Sequence, residues 1–530
     1  MVREGSLRRS THRVVSLLLL SSVVSLTTLT LSWSAASASE RAPHTQSSGG
    51  PITIGSSVFP VTLDPTANPS AAIDEVIDYN VLQHLVELAP NGSLQPTLAT
   101  SWTLSKNRRI YTFKIRHGVH FSNGDPLTAA DVTFSMDRVI KSGSTYPYAK
   151  IFDVKSVKTL SSDTVQVTLD SPSWEWLFNL ASYSNGVVLD PRTVSTLGTD
   201  PVGTGPYAVS GEVQNYSVSL NVNPRYWGPK PRTSGVTFRY FSSPNAENAA
   251  LESGQLNLID NLGNPSSLAS FEHNRSYQII SGLTNGKVQL TLNNSYGPLR
   301  KTLVRQAISY AIDRQAIIDV ASGGRGLPLG SDSVPADPYY LNLAHVYTYN
   351  PTKAKLLLRK AGYPHGFALS LTLPPYPYAQ LAAPLIVSEL SAVGIHVSVQ
   401  NIPFPLWLSR VFEAGNFQTT IIDHAEARDI SNYGTNGYYW HYAGTATVAA
   451  LLRSANAAPT QAQWIAGYRK VLRLITKQAV NDWLYVLPEI TIAQASVTGL
   501  PRFGYTESFN LAYLGIGGSV PAAAKKLGFA

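Results

Sequence analysis

Two hydrophobic periodicities alternate along the chain. Apolar residues alternate with other residues in 52–54 and in parts of 102–121 and 154–169, which predicts strands with one buried face. Apolar residues recur with helical spacing in other stretches, and the last of these is followed by a strand over 395–399. Helix followed by strand favours an α/β fold with substantial parallel sheet. The predicted helices span 71–85, 300–322, 351–361 and 382–393.

Capping residues mark several helix ends. Thr128 has the character of an N-cap, with Asp131 placed to complete a capping box. Asn350 precedes Pro351, a pairing typical of a helix start. Gly323 follows the long predicted helix as its stop.

The N-terminal residues are typical of an exported protein. Arg8 and Arg9 precede an apolar run over 14–33, and the small residues Ala36-Ser37-Ala38 follow it. We interpret 1–38 as a signal peptide cleaved after Ala38, with 39–50 as a disordered leader rich in Ser, Gly and Ala. The alternative is an uncleaved membrane anchor, because the run over 14–31 is nearly long enough to span a bilayer.

Composition narrows the class of protein. The 530 residues exceed what one hydrophobic core organises, so at least two lobes are expected. There is no cysteine, which excludes disulfides, thiol nucleophiles and a lipoprotein anchor, and a periplasmic location fits best. The net charge is +8, but Lys and Arg are scattered without a dense run, so nucleic-acid binding has no support.

Six sequence blocks together resemble one family, the extracytoplasmic solute-binding proteins of family 5, the dipeptide and oligopeptide type. They occur in that family's order, and the likeness runs from about residue 52 to the C-terminus. The blocks are LDP at 63–65, GSLQPTLATSW at 92–102, YTFKIRHGVHFSNGDPLTAADV at 111–132, GTGPY at 203–207, NPRYWG at 223–228 and VRQAISYAIDR at 304–314.

The resemblance implies a periplasmic-binding-protein-like α/β fold, with two lobes around a hinge and an additional smaller domain. It also implies a monomer that closes on a peptide or other small solute and delivers it to an ABC permease in the inner membrane. No enzymatic activity, metal or cofactor is expected. The implied division is lobe I at 51–85, 204–290 and 496–530, domain II at 86–203, and lobe III at 291–495.

The densest ionisable cluster lies over 423–429, followed by aromatic residues. In peptide-binding relatives an aspartate three positions before an Asp-Pro pair holds the α-ammonium of the peptide. Counting back from Asp429 places Glu426 at that position. Two departures from the family pattern put a dipeptide in the usual pose in doubt: Ile430 replaces Pro, and Ile421-Ile422 replaces Gly-Trp.

Further residues are expected to line the solute site, partly from this cluster and partly from the regions that line the cleft in the family. An alternative is that Glu426 forms an internal ion pair with Arg428 or Arg410, with His424 a buried structural histidine. For Trp407 we expect core packing. The predicted ligand-binding set is Glu426, Arg428, Asp429, His424, Tyr433, Trp440, Tyr183, Asn185, Phe59 and Leu63.

The sequence gives less support to a metal-binding protein, a hydrolase or a sugar carrier. A metal site at His424, Glu426 and Asp429 lacks the Cys or His-Glu-x-x-His context of known signatures. Nucleophile-elbow and phosphate-loop motifs are missing from the sequence, which argues against the alternative of an exported hydrolase. A carrier of oligosaccharides or another non-peptide solute stays open, because aromatic platforms serve sugars as readily as peptides.

Overall fold

The computed structural model describes residues 49–68, 70–141, 153–182, 186–506 and 508–530. The predicted signal peptide, most of the predicted leader, and two predicted site residues, Tyr183 and Asn185, lie outside the described residues. No helix in the described ranges is both long enough and apolar enough to cross a membrane.

Strands and helices alternate through the described chain. The strands are β1 Ile52–Ser56, β2 Val86–Leu88, β3 Leu94–Pro96, β4 Ala99–Leu104, β5 Ile110–Ile115, β6 Val154–Ser161, β7 Thr164–Leu169, β8 Tyr207–Val213, β9 Ser217–Val222, β10 Gly235–Tyr240, β11 Leu258–Ile259, β12 Tyr277–Leu292, β13 Leu327–Pro328, β14 Phe367–Leu373, β15 Ile395–Asn401, β16 Thr419–His424, β17 Asp482–Gln494, β18 Val497–Thr498 and β19 Gly515–Ile516. The helices are α1 Ala71–Ile77, α2 Ala129–Lys141, α3 Trp176–Ser182, α4 Pro244–Glu252, α5 Leu268–Glu272, α6 Thr302–Ala311, α7 Arg314–Ser322, α8 Pro351–Lys360, α9 Pro377–Ala392, α10 Phe404–Trp407, α11 Thr445–Asn456, α12 Gln461–Lys477 and α13 Ala522–Leu527.

One large mixed sheet organises the molecule. Its strand order is β15-β14-β16-β12-β17-β11-β1-β10-β9-β8, and β13 also pairs with β17. Strand β1 is parallel to β10 and β11, and β14 is parallel to β15 and β16, whereas the central pairings are antiparallel. The predicted α/β fold with parallel strands is confirmed, although the sheet is mixed.

Two long strands, β12 and β17, join the two ends of this sheet. Their register is regular up to Leu283 opposite Pro488, then shifts and resumes at Lys287 opposite Val486. The intervening residues are held locally, since Thr284 Oγ1 donates to Leu487 O (2.7 Å) and accepts from the backbone N–H of Gly286 (2.8 Å). This interruption of the ladder between Leu283 and Lys287 is the β12–β17 irregularity, and such a shift bends and twists a strand locally.

Separate hydrophobic cores lie on the two ends of the large sheet and on a smaller one. One core surrounds β1, β10 and β11, and another surrounds β14 to β16 with helices α6 to α9. A four-stranded antiparallel sheet, β4-β5-β7-β6, has its own core with α2 and α3. An aromatic core lies around α11 and α12. The described residues nevertheless form one compact unit, so the predicted boundaries of lobe I, domain II and lobe III stay predictions.

Hydrogen bonds of the N-cap residues explain which predicted helix ends agree with the structure and which do not. Asn350 Oδ1 accepts from Lys353 N (2.9 Å), and Thr128 N and Oγ1 both donate to Asp131, as predicted. The helix predicted over 300–322 is two helices, because the side chain of Asp313 caps a new helix after extended backbone at Ile312.

Two other helix predictions had wrong bounds. The helix predicted over 71–85 ends at Ile77, and Asp78 is already extended. The helix predicted over 382–393 begins earlier, at Pro377, and accommodates Pro384 in its interior.

A buried ion pair anchors α7 to the first residue of β17. Arg314 pairs with Asp482 and also donates to the carbonyl oxygens of Trp483 and Tyr347, each at 2.8 Å. Arg314→Met leaves Asp482 buried without its cation, so we expect the free energy of unfolding to fall by about 3–5 kcal/mol. Urea denaturation measures this change.

The control is Arg325→Met, which breaks a half-exposed pair with Glu272 (2.6 Å) and should cost less than about 1 kcal/mol. Equal losses in the two variants would show that burial does not set the strength of the Arg314 pair.

Candidate functional site

The candidate site lies in the loop that follows β16. His424, the last residue of β16, stands opposite Lys287 of β12 in the sheet. Four residues later the backbone of Arg428 adopts a left-handed conformation with φ of 57°, and a short 3₁₀ helix begins at Asp429. The loop thereby turns back, so that Asp429 meets Lys287.

A buried ammonium fixes this loop to the sheet. Lys287 Nζ lies 2.9 Å from Asp429 Oδ1 and donates to the backbone oxygens of Glu426 (2.8 Å) and Asn285 (3.1 Å). The exposed fractions of the two charged side chains are 1% and 3%. Three acceptors therefore surround the ammonium, as a buried charge requires.

Lys287 and Asp429 each stabilise the charged form of the other, and this shifts both pKa values. Burial alone would lower the pKa of Lys287, but the carboxylates of Asp429, Asp332 and Asp337 raise it above its ordinary value. Burial would raise the pKa of Asp429, and the ammonium of Lys287 outweighs it, so that this pKa is lowered. Both groups are charged at neutral pH.

Glu426 is the more accessible carboxylate of the loop. Its side chain is 31% exposed, against 3% for Asp429, and its Oε2 lies 3.8 Å from His424 Nδ1. The same histidine nitrogen lies 3.5 Å from Asp429 Oδ2, while His424 Nε2 hydrogen-bonds Tyr439 Oη (2.8 Å). His424 is thus held between the two carboxylates and the aromatic core.

This trio does not fit a metal centre. Potential ligand atoms of His424, Glu426 and Asp429 lie within 4.8 Å of one another. However, the ammonium of Lys287 already occupies the space beside Asp429, and a divalent cation bound there would face a buried positive charge. The ammonium that Asp429 faces is thus supplied by the protein itself, and the carboxylate of Glu426 is the one that is partly exposed.

The structure adds two carboxylates that sequence reasoning missed. Asp332 and Asp337 lie on a loop that is buried from 329 to 334, and both are near Lys287. Arg428 Nε lies 4.0 Å from Asp337 Oδ1, and its guanidinium covers the ring of Phe178 at 3.4 Å. In the sequence, Ser331-Asp332-Ser333 has only the character of a turn, so no local signal pointed to this site.

Contacts with the segment around α3 close one side of the site. The hydroxyl of Tyr468, on α12, donates to Glu175 Oε2 at 2.5 Å. Trp174 Nε1 donates to Ala458 O (3.2 Å), and the Trp174 ring stacks on Trp464. These contacts and the Arg428–Phe178 contact join the part of the chain before residue 203 to the aromatic core.

The remaining predicted site residues lie in cores. Leu63 is 1% exposed and Phe59 packs edge-on against Tyr240, both in the core around β1. Tyr433 and Trp440 are stacked with centroids 4.4 Å apart inside the aromatic core, and Trp407 is buried beside them as expected. The structure therefore brings together Glu426, Arg428, Asp429 and His424, and it places the ring of Trp440 beside His424 (centroids 5.5 Å apart) with Tyr433 stacked on Trp440. Leu63 and Phe59 belong to a different core.

The architecture, one mixed sheet with a separate core on each end and two long strands joining them, is that of a two-lobed periplasmic binding protein. The sequence profile described as bacterial extracellular solute-binding proteins, family 5 middle, matches residues 93–446. The chain belongs to this family, as its resemblance predicted. Proteins of family 5 bind peptides or small solutes outside the cytoplasm and deliver them to an ABC permease.

Three characterised proteins show the range of the likeness. The glutathione-binding protein GsiB of Escherichia coli O6:K15:H31 is 27% identical over 66% of this chain and 68% of its own length. The nickel-binding periplasmic protein of E. coli K12 is 30% identical over 53% of this chain and 56% of its own length. The structure of DppA from Helicobacter pylori in complex with the peptide STSA matches with a TM-score of 0.78 at 23% identity, covering 89% of this chain and 98% of that one.

The pKa of Glu175 makes the contact with α12 dependent on pH. Burial raises this pKa from 4.5 to about 7, although the charge of Arg428 and the bond from Tyr468 lower it. A raised carboxyl pKa means that the folded protein binds the proton more tightly, so stability falls as pH rises between about 4.5 and 7. We expect Glu175→Gln, which keeps an acceptor for Tyr468, to unfold at a higher temperature than the unmodified protein at about pH 8 and at nearly the same temperature at about pH 4.5.

Thermal unfolding across this pH range checks the expectation, with the exposed Glu413→Gln as control. Parallel curves for the unmodified protein and the Glu175 variant would contradict it.

Proposed function

We propose that this chain captures a peptide or peptide-like solute through a free amino group and delivers it to an ABC permease. The observation that carries the proposal is the position of Glu426. It is the accessible carboxylate of a loop whose other carboxylate, Asp429, is held by Lys287. An ammonium placed against Glu426 forms a charge-assisted pair that strengthens as the cleft closes and excludes water.

The surrounding charges favour a cationic group. Burial raises the pKa of Asp332, Asp337 and Glu175, which means that their charged forms are costly while no solute is bound. A cation entering beside them stabilises those charged forms. The acidic side chains of the site, including these three, Glu426 and Asp429, thus outnumber its two cations, Lys287 and Arg428.

The relatives support the same class of solute. Glutathione and STSA, bound by two of them, are both peptides with a free amino group. Nickel, bound by a third, suits this chain less well, because Lys287 lies where a metal ion would contact Asp429.

An oligosaccharide is less favoured than a peptide. Sugars require exposed aromatic faces, whereas the rings of Tyr433 and Trp440 are stacked on each other and buried. We also propose that the protein is not an enzyme, since the histidine of the site is held between Tyr439 and two carboxylates. The residues of the site bind a solute and do not catalyse a reaction in this proposal.

Closure is proposed to occur at the β12–β17 irregularity. Bending there would move the segment around α3 against α12, so that Trp174 and Glu175 meet their partners only when the cleft is closed. The solute would then be buried between Glu426 and that segment.

Replacing Glu426 tests how the solute is recognised. Glu426→Gln keeps the size of the side chain and removes its charge, so a desolvated ammonium loses its partner at a cost of about 2–5 kcal/mol. We expect affinity for an amine-bearing peptide to fall more than about thirtyfold. Isothermal titration measures the change, using a peptide first selected by its thermal stabilisation of the unmodified protein.

Glu413→Gln, an exposed change on the same lobe, should leave affinity unchanged. Unchanged affinity in the Glu426 variant, together with a lower melting temperature of the solute-free protein, would instead establish Glu426 as part of an internal ion pair.

We propose further that the mature protein begins at Ser39 and acts as a periplasmic monomer. N-terminal sequencing of the protein from its native cell envelope should return Ser39 as the first residue. Recovery of the intact segment over 14–31 in the membrane fraction would favour the anchor instead.

A further inference from the structure

Three neighbouring helices, α6, α8 and α12, carry a group of basic residues, most of which are exposed. Helices α6 and α8 pack against each other, and the C-terminal turn of α12 reaches them, since Gln306 Nε2 donates to Lys477 O (2.9 Å). None of the three helices contains Asp or Glu. Their basic residues are Arg305, Lys353, Lys355, Arg359, Lys360, Arg469, Lys470, Arg473 and Lys477.

A cavity of about 480 Å³ opens between these helices. Lys353, Arg473 and Lys477 line it, and no carboxylate does. In the described part of the chain these three side chains take part in no ion pair. A concave site lined by charges of one sign concentrates ions of the opposite sign.

Hydrogen bonds inside the cavity leave donors facing the open space. Lys353 Nζ donates to Tyr310 Oη (2.6 Å) and lies 3.9 Å from the centre of that ring, which fixes the ammonium and leaves its other N–H groups for a ligand. The Tyr310 hydroxyl donates to Val346 O (3.3 Å). The carbonyl oxygen of Lys477 is occupied by Gln306 and by the hydroxyl of Tyr347 (3.1 Å).

Part of the cavity wall is apolar. Leu343, Val346 and Leu357 contribute this part. The ligand that matches both parts carries a compact anionic group with several oxygens and a short carbon segment. A phosphoryl group meets the first requirement, because its oxygens accept bonds from an arginine fork and from separate lysines together.

We propose that this cavity is a second binding site, independent of the solute cleft, for a phosphate-bearing anion. Two sources share this chemistry: a soluble phosphate ester and the head group of an anionic phospholipid. The site lies on α6, α8 and α12, whereas the Glu426 loop follows β16, so loss of one site need not affect the other.

A pair of charge-matched double variants tests the proposal. Arg473→Gln with Lys477→Gln removes two cations of the cavity, and Lys355→Gln with Lys360→Gln removes two exposed cations of α8 that do not line it. Isothermal titration with inorganic phosphate and co-sedimentation with vesicles, of phosphatidylcholine with or without phosphatidylglycerol, are measured at low ionic strength.

Binding of phosphate that weakens by at least about tenfold in the cavity variant and less than about twofold in the control supports the site and a soluble ligand. The same difference seen with phosphatidylglycerol vesicles supports the site and a lipid head group. Failure of the unmodified protein to bind either probe, or equal losses in the two variants, overturns the proposal.

Discussion

The pairing of β12 with β17 is the constraint on which the rest of the molecule depends. These strands are the central pair of the large sheet, with β16, β14 and β15 on one side and β11, β1 and β10 on the other. Both cores of the sheet are thus attached to one antiparallel ladder. The register of this ladder shifts between Leu283 and Lys287, and this is the point at which we propose that the lobes bend.

Lys287 couples this ladder to the candidate site. It is the first residue after the shift, and its ammonium holds both Asp429 and the backbone of Glu426. A β-carbon at the neighbouring Gly286 would lie 2.6 Å from a carboxylate oxygen of Asp423, so a larger residue there would require the Asp423 side chain to move. If the lobes bend at the shift, as we propose, the loop that carries Glu426 moves with Lys287, and closure is linked to recognition through one buried charge.

The sequence predicted the fold better than the site. Ordered family blocks and local periodicity identify the fold class, because turns, caps and strand alternation are local properties. Glu426, Arg428, Asp429 and His424 were predicted as one cluster because they are neighbours in one short segment, and their role in binding stays a prediction. Lys287 was missed because its partner Glu426 lies 139 residues away.

Other misses have the same physical origin. Glu175 and Tyr468 are separated by 293 residues, and no local pattern marks either. Tyr433 and Trp440, which were predicted to face the solute because aromatic residues follow a charged loop, are stacked on each other in a core beside His424, and their part in the site stays a prediction. Burial of aromatic residues is a property of the whole fold, which a segment of sequence does not reveal.

Recognition of an ammonium by the Glu426 loop is the central claim, and competition within a mixed peptide pool tests it most directly. The protein is incubated with equal amounts of short peptides carrying free amino termini and the same peptides with N-acetylated termini, and the retained peptides are identified by mass spectrometry. The account predicts that free-amine peptides are retained and their acetylated copies are not, since acetylation removes the charge that Glu426 pairs with. Equal retention of both forms would contradict it.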